Sequence, residues 1–477
     1  MTRLNSCMKT CAVFVLWATA TLTLPAQTFK SLHNFNNTAG ALPWATMVQG
    51  NDGDFYGTTQ NGGNPACTLG CGTIFKVTPT GKLTAFKFNG TNGSQPIAGL
   101  VQAANGDFYG VTTSGGASDV GTVFKFTPKG GLTVLYSFAV DTGYAPLGGL
   151  VLASDGNFYG TTSSGGPPTG DCTPSGCGTI FKITAKGKYT TIHNFNGLPD
   201  GGDPLATMTE APNGKLYGTA SALGNAGNYG TVFTITTKGK YTVIHQFNNT
   251  DGAYPFGGLI LGADGNFYGQ TDLGGASDYG AFGTVYKMTP TGKVTTLHSF
   301  EQTDGDNPVS ALVQGTDGNF YGTASYGGKH PNFGTIFKIT PSGKFTTLHN
   351  FDSTHGSYPY AGLIQATNGT FYGATYGGGS STACPYGCGT VFSLSVGLGP
   401  FVETLPNSGN VGAAIRIQGT DLTGTTSVTF NGMAAKFTVI SKSEIQTNVP
   451  SGATTGMVEV KTGKKTLNSN AIFQVTK

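Results

Sequence analysis

The chain has 477 residues and a formal net charge of +3, and only 10% of its residues are charged while 77 are glycine; an average domain carries about 25% charged residues. Few carboxylates and bases are therefore available for chemistry. A near-neutral chain without clustered Lys and Arg argues against nucleic acid or an anionic membrane surface as the main partner, because both demand concentrated positive charge.

In chain order, residues 1–26 read as a secretory signal. Arg3 and Lys9 give a basic start, 11–24 is apolar, and Leu24-Pro25-Ala26 offers a small residue before Gln27. The apolar run is short for a membrane span, and an uncleaved anchor is the alternative. Neither Cys7 nor Cys11 follows that run, so lipid attachment is not indicated. The remainder has no long apolar stretch, which makes the mature chain secreted or held at the cell surface without spanning it.

From residue 27 to 396 a repeat dominates. An aromatic or leucine, a tyrosine and a glycine recur at Tyr56, Tyr109, Tyr159, Tyr217, Tyr268, Tyr321 and Tyr372, with spacings of 53, 50, 58, 51, 53 and 51 residues. A period near 50 rich in β-formers points to a propeller with one blade per repeat. Each repeat parses into four strands. In the sixth these fall at 311–314, 320–325, 335–340 and 344–351. The first turn is Asn or Asp followed by Gly in every repeat, from Asp52-Gly53 to Asn368-Gly369, which suits a type I′ hairpin. The third-to-fourth connection is also tight, as in Pro79-Thr80-Gly81. Both tight sets fall on one face.

Residues 29–35 match the fourth strand of the repeats, whereas the last repeat supplies a third strand at 389–395 and no fourth. The opening strand should complete the last blade and close a seven-bladed ring, removing exposed sheet edges. An open solenoid is the alternative. The long connections, from second to third and from fourth to first strand, share the other face; the latter carry a Gly-x-x-Pro element such as Gly40 to Pro43. Variable loops on a rigid frame are where function usually sits.

Six cysteines follow the signal as close pairs, Cys67 with Cys71, Cys172 with Cys177 and Cys384 with Cys388, all in second-to-third-strand loops. Local disulfides are the leading expectation for an exported chain, each adding about 2 kcal/mol in the chain-entropy model. A tetrathiolate zinc site joining blades seven and one is the alternative. His33, His193, His245, His298 and His349 hold one strand position and follow the repeat. No nucleophile-elbow, HExxH, calcium-loop or phosphate-loop pattern appears, and no cofactor is implied.

Aromatics on the variable face are the candidate ligand-binding residues. Trp44, Tyr144, Tyr254 and Tyr358 stand beside the recurring proline, and Tyr229, Tyr279, Tyr326, Tyr376 and Tyr386 lie in or next to the other loop set. Such rings stack on sugars or contact proteins, and they also serve to pack loops.

After residue 396 the FYG frame ends, and turns at Asn431-Gly432 and Ser451-Gly452 among Val, Ile and Thr suggest a small β-sandwich. The stretch Pro406-Asn407-Ser408-Gly409, the run Ile415-Arg416-Ile417-Gln418-Gly419-Thr420-Asp421-Leu422 and the run Val428-Thr429-Phe430-Asn431-Gly432 resemble an IPT/TIG immunoglobulin-like domain over 397–477. The repeats, with their GGL or AGL strand, DGNFYGTT, GTVFKITPSGK and TTLHNF, resemble the GloVer tandem-repeat family of exported bacterial proteins. The fourth repeat departs most, with Leu216 for Phe and Thr236-Thr237 for Thr-Pro. That resemblance implies the fold and no activity.

The expectation is an exported all-β protein, a seven-bladed propeller followed by an Ig-like sandwich, that binds a carbohydrate or another protein through its long-loop face. The alternative is a lyase or glycan-active enzyme with its site at the channel mouth, where the non-repeated candidates are Asp119, Asp171, Glu210, Asp272, Asp278, His330 and His355.

Overall fold

The computed structural model of the protein describes residues 27–168, 170–276, 281–330, 332–463 and 465–476. The expected signal segment, Asp278 and Tyr279 lie outside these. Among the described residues the regular structure is β, with three 3-10 segments and no α-helix, and no helix is long and apolar enough to cross a membrane.

Seven antiparallel four-stranded sheets follow one another. The first blade runs Val48–Gln49, Phe55–Thr59, Thr73–Val77, Leu83–Lys87, from the channel outward. The seventh takes its outer strand from the start of the chain: Thr28–Asn34 lies antiparallel to Thr390–Ser395, with Phe29 opposite Leu394 and Asn34 opposite Thr390. The ring is closed by the chain's first strand, as its phase predicts.

The repeated motif explains itself in three dimensions. The FYG tyrosine is buried in the second strand; where the turn carries aspartate its hydroxyl donates back to it, Tyr56 to Asp52 at 2.8 Å and Tyr159 to Asp155 at 2.8 Å, and where it carries asparagine the amide donates to the hydroxyl, Asn213 to Tyr217 and Asn368 to Tyr372 at 3.1 Å. The lysine of the third strand reaches the same carboxylate, Lys76 at 2.7 Å and Lys182 at 2.9 Å. Between blades the tyrosine ring packs on the next blade's phenylalanine, as for Tyr56 on Phe108 at 4.2 Å and Tyr268 on Phe320 at 3.8 Å, and the series closes with Tyr372 on Phe55 at 4.1 Å. The glycine of the motif makes room for the third-strand aromatic; a Cβ on Gly160 would come within 2.5 Å of Phe181 Cζ.

Two expectations are corrected. The first turn is not type I′: of the Asp52-Gly53 pair only Gly53 is left-handed, at φ 85°, and its N–H donates to Gly50 C=O at 2.8 Å. This is the three-residue hairpin loop with a glycine bulge. Asp52 is occupied instead in accepting the Asp54 N–H, a bond its side chain makes without positive φ. The innermost strands are two residues long, Val313–Gln314 rather than 311–314. Their inner ends crowd the axis, where a Cβ on Gly362 would meet Ala311 C=O at 2.8 Å, leaving no room for a regular ladder.

The C-terminal region forms two four-stranded sheets and a short parallel pair around a core that includes Ile415, Ile417, Val428, Phe430, Ile445 and Phe473. It seats on the tight turns of blades one and seven. Gln418 donates to Asn51 Oδ1 at 2.6 Å, Ser443 to Asn51 C=O at 2.8 Å, and the Phe401 N–H to Thr367 C=O at 2.9 Å.

Candidate functional site

The Gly-x-x-Pro element builds the long-loop face. In all seven blades the residue before the proline is left-handed without being glycine: Leu42, Gln95, Ala145, Asp203, Tyr254, Asn307 and Tyr358, at φ between 50° and 59°. Such a conformation costs on the order of 1 kcal/mol or more and persists only when its surroundings impose it. Here the N–H reaches the preceding blade, Leu42 to Cys388 C=O at 2.9 Å and Tyr358 to Phe333 C=O at 3.1 Å, while the C=O accepts from its own blade, as from Gln60 and Tyr376. The residue is a strap between blades. The following proline then turns the next side chain toward the axis.

Trp44, Ile97, Leu147, Leu205, Phe256, Val309 and Tyr360 therefore ring the channel mouth, one per blade, around a hollow of about 350 Å³. On one side the ring becomes an aromatic cluster drawn from blades six, seven and one. Trp44 stacks on Tyr360 at 4.4 Å, Tyr376 meets both edge-on, Tyr326 lies 5.3 Å from Tyr358, and the hydroxyls of Tyr326 and Tyr360 are 2.7 Å apart. Burial and the Tyr326 hydroxyl hold the Tyr360 phenol far above its ordinary value. Beside the cluster a second hollow of about 290 Å³ opens against Tyr386, which is 77% exposed on the disulfide loop of blade seven.

Of the candidates read from the sequence, Trp44, Tyr326, Tyr358 and Tyr376 are brought together. Tyr144 and Tyr254 are not: they sit in blades three and five, half-buried, with no ring partner among the described residues. Tyr360 was missed. Its signal was the place after Pro359 that Trp44 holds after Pro43.

The cysteines pair within their loops, Cys67 with Cys71, Cys172 with Cys177 and Cys384 with Cys388, at Cα separations of 5.0, 5.0 and 5.1 Å. The thiols of a zinc site between blades seven and one are thereby engaged. In each of these loops the second cysteine's C=O receives the strap bond of the next blade, from Gln95, Asp203 and Leu42. The strand histidines are framework: His193, His245 and His298 bond Asp200, Asp251 and Asp304 at about 3 Å, and His193 stacks on Tyr241 of the next blade. His349 stacks on Phe29 of the closing strand, and burial lowers it to about 4.

The non-repeated ionisable candidates scatter. Asp119 holds the Gly115 N–H, Glu210 bridges to Ser154, and His355 pairs with Asp352. Of the described candidates only Asp272 lines the mouth, bonded by Asn307 at 2.8 Å. Near it stands Asp306, which the sequence reading missed; burial and then the charge of Asp272 push it up to about 6. Among the described residues no lysine or arginine lines the mouth or the flanking hollows.

A family model described as Gloeobacter/Verrucomicrobia repeat matches residues 18–197 and 169–392, and the IPT/TIG domain model matches 401–475. No curated protein matches the chain. Among solved structures it is similar to virginiamycin B lyase from Staphylococcus aureus, at 15% identity and TM-score 0.53, covering 78% of this chain and 99% of that one. It is also similar to a fungal alcohol oxidase of the AA5 family in complex with copper, at 14% identity and TM-score 0.55, covering 94% and 99%. These likenesses concern the fold.

Proposed function

The chain belongs to the Gloeobacter/Verrucomicrobia repeat family and carries an IPT/TIG domain after its repeats, and from that premise we propose that it is an exported carbohydrate-binding protein. The ligand stacks in the aromatic hollow shared by blades six, seven and one. The observation that carries this reading is the cluster of Trp44, Tyr326, Tyr358, Tyr360 and Tyr376 beside the exposed Tyr386. Flat apolar faces edged by hydroxyls match the faces and rims of pyranose rings. Export through the signal at 1–26 fits three disulfides, which persist in oxidising compartments.

The test is a neutral-glycan array followed by calorimetry. Tyr386→Ala and Tyr376→Ala, both at residues that line the hollow, should each weaken binding at least tenfold while Tyr144→Ala leaves it within twofold. Equal effects of all three changes would remove the hollow from the site.

A second reading, a glycan-active enzyme, has Asp272 and Asp306 in its favour, since a carboxyl titrating near 6 suits a general acid. Incubation of the bound glycan should release no new reducing ends if binding is the whole function. Release abolished by Asp272→Asn would establish the enzyme instead.

A further inference from the structure

We infer that the binding groove continues past the aromatic hollow into the cleft between the disulfide loops of blades one and seven, and that the ligand is an oligosaccharide of two or more units. This rests on the carbohydrate reading and extends it.

The two spaces adjoin. Leu42, Cys384 and Pro385 line both the aromatic hollow and a cleft of about 470 Å³ whose other wall is the Cys67–Cys71 loop. Their chemistries differ, one wall aromatic and the other rich in side-chain amides, including Asn37, Asn61 and Asn64. Asn61 is the informative residue. It is 9% exposed, and its Oδ1 has no hydrogen-bond partner. Asn61 lines the cleft together with Asn37 and Asn64, and the hydroxyls of a sugar unit seated there would meet these amides as both donors and acceptors. A ring stacked on the aromatic side and a ring hydrogen-bonded on the amide side are successive units of one chain crossing the Cys384–Pro385 ridge.

The cleft is also rigid. Each wall is stapled by its own disulfide, and Leu42 at its floor is strapped to Cys388 of blade seven and bonded by Gln60 of blade one. A site held in shape before binding loses little freedom on taking its ligand.

The experiment titrates the full chain with glycans of one to six units from each series on the array. Affinity should rise at least tenfold between one unit and two. Asn61→Leu should abolish that rise while leaving binding of the single unit within twofold, and Asn61→Ala, which removes the amide without adding bulk, serves if the leucine variant does not fold. Affinity independent of length, or a rise that survives both substitutions, overturns the extended groove and leaves the aromatic site standing. Failure of every glycan to bind overturns both.

Discussion

The two faces of the propeller are built from one repeat and put it to opposite uses. On the tight-turn face the turn residue and the strand tyrosine recur in contact: aspartate, tyrosine and lysine meet at Asp52, Asp155 and Asp264 in blades one, three and five, and Asn213 and Asn368 bond the tyrosine hydroxyl in blades four and seven. On the long-loop face the backbone recurs and the side chains do not. All seven straps share a left-handed residue, yet the position after the proline is Trp, Ile, Leu, Leu, Phe, Val and Tyr in turn. Where a side chain is needed to hold the blade it is repeated; where only the backbone is needed, the side chain is free to differ, and the aromatics gather at blades six, seven and one.

The largest expected effect breaks the frame on which both faces depend. Deletion of residues 28–34 leaves the Thr390–Ser395 strand as an unpaired edge and removes Phe29 from His349. No folded monomer should survive on size exclusion; a deletion variant that elutes and melts like the native chain would disprove closure by this strand. Next is the packing beneath the repeated motif. Gly160→Val drives a branched side chain into Phe181 and Leu150, and should lower stability by about 3 kcal/mol in urea titration, whereas a change at exposed Tyr386 should stay within about 0.5 kcal/mol.

Smaller effects sharpen the contrast through pH. Burial would raise Asp155, but hydrogen bonds from Lys182, Tyr159 and Asn157 bring it to about 2, below the ordinary 3.8. Its contribution is present above pH 3.8 and lost as pH falls toward 2, so Asp155→Ala should cost about 1 kcal/mol at pH 7 and progressively less in acid. A pH-independent difference between the two proteins would count against the turn carboxylate as the cause. On the other face Asp306 runs the opposite way. Its value is raised from 3.8 to about 6, so its contribution is complete below pH 3.8 and lost as pH rises through 6. Asp306→Asn should melt level with the native chain at pH 4 and about 2 °C above it at pH 7. A variant less stable at pH 7 would mean that the carboxylate is paired there.

The sequence by itself determined the blade count, the position of the tight turns, the local cysteine pairs and the strand that closes the ring. Each of these depends on residues within one repeat or on the phase of the repeat, and a four-residue reach such as Tyr56 to Asp52 is already present in the local chain. Even there the turn type escaped it, because Asp52 spends its side chain on Asp54 and Tyr56 rather than taking positive φ. The proposed hollow was legible only in outline: the sequence offered its face and four of its rings, with Tyr144 and Tyr254 included although they stand apart. Only the tertiary structure decided which rings meet, because closure sets Trp44 on Tyr360 across more than 300 residues of chain. It likewise put Asp306 near Asp272 and joined the loops of blades seven and one into a cleft, since the angle between neighbouring blades, and not any spacing along the chain, governs what faces the axis.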